Sequence, residues 1–155
     1  MATPKKKRHK PIPLAERVDR FEQRLHMHQP LDAQQVAQLI TPVRVSLQLL
    51  LDGTAGHDDL IKVASAVNLA WQCCLAIKDG GQIGAKLLED AGAWCHRIEA
   101  RGVADGLWKA EAGAVPPLLE SVDLYEQLLG QCSRRQFQIA YTALMAAVQE
   151  EGVTA

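Results

Sequence analysis

The chain has 155 residues, 48 % of them apolar and only 5 % aromatic, which fits one folded domain and argues against disorder throughout. Its net charge of −1 conceals a split: Lys5, Lys6, Lys7, Arg8 and Lys10 crowd the start, leaving 12 basic against 18 acidic residues from position 11 onward. No apolar run reaches the roughly 20 residues of a membrane span, and Pro11-Ile12-Pro13 stands where a secretory signal would be apolar. With no export signal, Cys73, Cys74, Cys95 and Cys132 read as reduced thiols of a cytoplasmic protein.

Residues 1–13 are expected to form a flexible basic arm, because a block of like charge followed by two prolines disfavours helix. Leu14, Val18, Phe21 and Leu25 then recur at four, three and four residues, predicting a helix from about Leu14 to Met27. Asp32 is placed to cap a second helix through Val36, Leu39 and Ile40. Pro42 either kinks that helix or opens a new one behind Thr41, and Asp52-Gly53 closes the segment. A third helix begins near Asp58 and stops at Gly80-Gly81, and a fourth spans about Gly84 to Arg101. Arg101-Gly102 reads as the fourth helix's end, with Val103 to Val115 as an irregular connection. Pro116-Pro117 opens a fifth helix, and Ser133 to Gln136 has capping-box spacing for a sixth, expected to fray from Glu150. The pattern predicts an all-α fold: one bundle of five or six helices over residues 14–150, a basic arm before it and residues 151–155 frayed.

The arm is the clearest chemical signal. Each of Lys5, Lys6, Lys7, Arg8 and Lys10 can neutralise a phosphate and release counterions, so nucleic acid or another polyanion is the expected partner. Gln131-Cys132 between two helices, followed by Ser133-Arg134-Arg135-Gln136, has the order of a helix-turn-helix, which makes Arg134 and Arg135 a second candidate contact. Two cations at the positive end of a helix dipole are mildly unfavourable, a further hint of an external anion.

Trp71 and Trp94 lie on helical stripes and read as core, whereas Trp108 in the irregular connection is the candidate partner-binding anchor. Cys74 and Cys95 share those stripes, and Cys73 is expected to be the more exposed thiol. No metal or cofactor site is expected: His26 and His28 point apart on a helix, and no C-x-x-C or H-x-x-x-H spacing occurs. No catalytic motif is present either, since no nucleophile elbow or phosphate loop occurs and the carboxylate pairs are sequence neighbours that diverge on a helix. A non-enzymatic protein is the expectation. Surplus apolar residues from Leu47 to Leu51 offer a face for a homodimer.

Gly53-Thr54-Ala55, Ala66-Val67-Asn68-Leu69-Ala70, the run from Arg101 to Trp108, and Tyr125-Glu126-Gln127-Leu128 carry a wider likeness. With the lysine-rich start, they make the chain resemble small helical proteins of bacteriophages and mobile elements in proteobacteria, some classed as Fis-like transcriptional regulators. The resemblance implies DNA-linked regulation and assigns no residue roles. An accessory protein of a phage or mobile element is therefore expected, with a helical module that binds or inhibits a host protein as the alternative.

Overall fold

The computed structural model describes residues 13–76 and 84–154, apart from the side chains of Phe21, Ala76 and residues 152–154. The described residues form six α-helices: α1 Leu14–His28, α2 Ala33–Asp52, α3 His57–Ala76, α4 Ala85–Asp105, α5 Val115–Gln131 and α6 Arg134–Thr154. A 3-10 turn, Ala112–Ala114, precedes α5. The architecture is an all-α bundle, and no strand occurs among the described residues.

Helix α3 runs through the middle, packed by α2, α4, α5 and α6. Its apolar residues therefore face inward on several sides, with Leu60, Val63, Val67, Ala70, Cys73 and Cys74 all buried. The expectation that Cys73 is more exposed than Cys74 fails for this reason: both are enclosed, Cys73 completely. Leu47 and Leu50 of α2 also point into this core, so the Leu47–Leu51 stretch is largely spent on internal packing.

Two helix starts follow their sequence signals. Asp32 accepts the Gln35 amide at 2.8 Å while the Gln35 side chain accepts the Asp32 N–H at 3.0 Å, a complete capping box. Ser133 and Gln136 repeat the arrangement at α6, at 3.1 and 2.9 Å.

Of the two alternatives at Pro42, the single helix running through it is the one found, whereas the helix end expected at Arg101-Gly102 is misplaced. Helix α2 runs unbroken past Pro42, because proline and the Gln38 carbonyl it leaves without a donor both lie on an exposed face open to water. Helix α4 continues through Gly102 to Asp105, and the residue that ends it is Gly106, at φ 71°. Gly102 has another purpose: the Trp108 ring folds back onto it so closely that a Cβ there would lie 2.3 Å from two ring carbons. Trp108 also meets the His57 ring at 5.0 Å and bridges Ala55, while the Ala110 amide donates to the Leu50 carbonyl at 2.9 Å. The connection after α4 thus stitches together the ends of α2, α3 and α4. At the other end of the chain, α6 stays helical beyond Glu150, through Thr154.

Helix α1 stands apart. It lies chiefly along α6, and its apolar stripe is not buried there: Leu14 is 77 %, Val18 46 % and Leu25 50 % exposed.

Candidate nucleic-acid interface

The arm residues Lys5, Lys6, Lys7, Arg8 and Lys10 lie outside the described residues. The helix that follows them sorts its charges by face. Arg17, Arg20 and Arg24 are spaced three and four apart, one cationic edge at about 100° per residue, while Asp19 and Glu22 point elsewhere. Arg20 is held by Glu16 at 2.7 Å. His26 and His28 close the helix at its negative dipole end.

Of the three arginines, Arg24 faces α6. Arg24 and His28 from α1 and Arg135, Gln138 and Thr142 from α6 line a trough of about 640 Å³, floored partly by Met27 and Ile139. Among the described residues, no acidic side chain lines the trough. Arg24 and Arg135 are both exposed, and neither is ion-paired among the described residues. Chemically, the trough can accept an anion that spans two helices, with amide and hydroxyl donors between the guanidinium groups.

The adjacent candidate Arg134 behaves differently. Its guanidinium turns inward, 16 % exposed, donating to the Pro30 carbonyl at 3.2 Å and to Gln35 Oε1 at 2.9 Å, with Asp32 Oδ2 at 3.9 Å. Its backbone amide donates to the Gln29 carbonyl at 3.0 Å, and Pro30 bridges Ser133. Arg134 therefore fastens the α1–α2 turn to the start of α6, which fixes α1 beside Arg135. Of the sequence pair, Arg135 is presented to solvent and Arg134 is engaged internally. Sequence reasoning did not single out Arg24, because its place beside Arg135 depends on how α1 packs along α6.

Trp108 is half-buried in the stitch described above. Trp94 is covered on one side by Gly113, where a Cβ would fall 2.9 Å from the ring, and on another by the Arg97 guanidinium, 4.7 Å from its centroid. Trp71 lines a second concavity, a groove between α3 and α4 of about 400 Å³ that continues into a narrower recess of about 110 Å³. Its floor is apolar, including Val67 and Leu88, and its polar rim (His57, Asn68, His96, Glu99) faces solvent. His96 Nδ1 sits 3.9 Å from Glu99 Oε2, and the buried Cys95 thiol lines the same recess.

All four cysteines are free and buried. A hydrogen bond with Cys132, together with burial, pushes the Cys73 thiol far up. Burial, reinforced by Glu99, raises Cys95 to about 11. The hydrogen bond with Cys73 lowers the partner thiol Cys132, and it is burial that keeps all four side chains from solvent. Among the described residues, no three His, Cys, Asp or Glu side chains are grouped to hold a metal, and no helix is long and apolar enough to cross a membrane.

Comparisons with protein-family models, curated proteins and solved structures return no match for this chain. The fold defines an all-α helical bundle.

Proposed function

We propose that the chain is a non-enzymatic, nucleic-acid-associated accessory protein in which the basic arm grips phosphate and the α1–α6 trough extends the grip. Lys5, Lys6, Lys7, Arg8 and Lys10 supply charge without reading sequence, and Arg24 and Arg135 continue it on a rigid surface. The observation that carries this reading is one of placement: the helix leaving the arm sets Arg24 beside Arg135 in a trough that no carboxylate of the described residues lines. A body with 12 basic and 18 acidic residues from position 11 onward repels nucleic acid elsewhere, so contact is steered to this end. Likeness to Fis-like proteins of mobile elements supports a regulatory setting. Binding of a duplex by the full chain, by a chain starting at Pro11, and by Arg24→Glu/Arg135→Glu tests the reading. Loss in both altered proteins is expected, and equal binding by all three refutes it.

A second reading, a module that binds or inhibits a host protein, draws on the exposed apolar residues Tyr141, Met145 and Val148 of α6. A host protein that co-purifies stoichiometrically through nuclease treatment and high salt would favour it.

A further inference from the structure

We infer that the chain pairs with a second copy of itself through α1, the two helices running parallel along the Leu14, Val18 and Leu25 stripe. Those residues are 77 %, 46 % and 50 % exposed, and the sequence places Phe21 between Val18 and Leu25 to complete a four-three-four repeat. Such a repeat fills the two core positions of a coiled-coil heptad, a seam that packs against a like seam. The face is free of α6: Arg24, Met27 and His28 turn toward α6, about 100° around the helix from the stripe at 3.6 residues per turn.

The charges beside the seam favour a second copy running parallel. In this frame Arg17 and Arg24 flank the seam on one side, and Ala15 and Glu22 on the other. A parallel partner sets Arg17 of each copy against Glu22 of the other, the usual cross-seam pairing five residues apart. An antiparallel partner would instead oppose Arg17 to Arg24, cation against cation. Two heptads are short for an isolated coiled coil, but α1 is already held as a helix by α6 and by the Arg134 clamp, so pairing does not bear the cost of nucleation. In a parallel pair both chain starts leave from one end, bringing two sets of five arm cations together. That consequence alone rests on the nucleic-acid reading.

Sedimentation of the full chain tests the pairing. The expected result is a concentration-dependent species of twice 17.0 kDa. Leu25→Asp should abolish it with an unchanged helical circular dichroism spectrum. Arg17→Glu and Glu22→Arg should each weaken it about tenfold, since two symmetry-related pairs turn repulsive, and the double exchange should restore it. A chain that stays monomeric at every concentration overturns the inference, as does tighter association of Arg17→Glu or a dimer indifferent to these changes. A dimer that binds no duplex would leave the inference standing and remove the nucleic-acid reading. Duplex binding by a chain that never dimerises would do the reverse.

Discussion

Substituting Gly102 and Gly92 by alanine, in the same helix, should shift stability in opposite directions. At Gly92 nothing lies within 4 Å of where an added methyl would sit, so Gly92→Ala should express the ordinary helix preference of alanine, about 0.5–1 kcal/mol of stabilisation. At Gly102 the same methyl would stand 2.3 Å from Trp108 Cδ2 and Cε3 and 2.6 Å from Cε2. Ordinary carbon contacts begin near 3.5 Å, so the indole must retreat by about 1 Å or leave the helix altogether. Overpacking of this kind costs about 1–3 kcal/mol, and the ring's contacts with His57 and the strand-like pairing at Ala55 are strained with it. After subtracting the helix gain, Gly102→Ala should lose up to about 2.5 kcal/mol, a fall in Tm of up to about 10 °C for a chain of this size. Thermal melting by circular dichroism measures both variants, with a red shift of tryptophan emission expected only for Gly102→Ala. If Gly102→Ala melts higher than the parent, as Gly92→Ala should, Trp108 does not close on Gly102 and the stitch at that corner is wrong.

The remaining expectations concern Arg134, the thiols and Asp59. Arg134→Ala should cost about 1–3 kcal/mol in denaturant melts and open residues 29–31 to protease, whereas Arg135→Ala should stay within about 0.5 kcal/mol. Equal costs would show that Arg134 is not the clamp. A thiol reagent at neutral pH should leave Cys73, Cys74, Cys95 and Cys132 unlabelled until denaturant is added, and prompt labelling of the native protein would contradict their burial. The Asp59 carboxylate accepts the Gly56 amide and the Ser46 hydroxyl, both at 2.9 Å, which holds it below the usual carboxylate range. A lowered folded value stabilises above the unfolded value near 4 and is lost as acid protonates the group. Melting temperatures between about pH 5 and pH 2.5 should therefore fall more steeply for the parent than for Asp59→Asn, and parallel curves would exclude the contribution.

The bundle was legible because its signals are local. Capping at Asp32 and Ser133 depends on residues three apart, and both motifs stand where their spacing placed them. What the sequence concealed depends on distant neighbours. Arg101-Gly102 has the composition of a helix end, but the glycine is required by Trp108, a contact made only after the chain turns at Gly106. Pro42 reads as a kink or a new start until the helix is seen to turn that side to water. Cys73 looked the more exposed thiol because a surface helix has one apolar face, whereas α3 is packed from several sides. The same reason separates Arg134 from Arg135: adjacent arginines are alike in sequence, and only the position of the α1–α2 turn decides which one is taken inward. The α1 stripe was plain in its spacing, yet periodicity shows that a face is apolar without saying what covers it.

The salt dependence of duplex binding tests the central claim most directly. If the five arm cations engage phosphate, the logarithm of the association constant should fall against the logarithm of salt concentration with a slope near −4.5 from the arm alone, steeper with Arg24 and Arg135. A protein beginning at Pro11 should lose that portion of the slope. Identical slopes with and without the first ten residues would contradict the account.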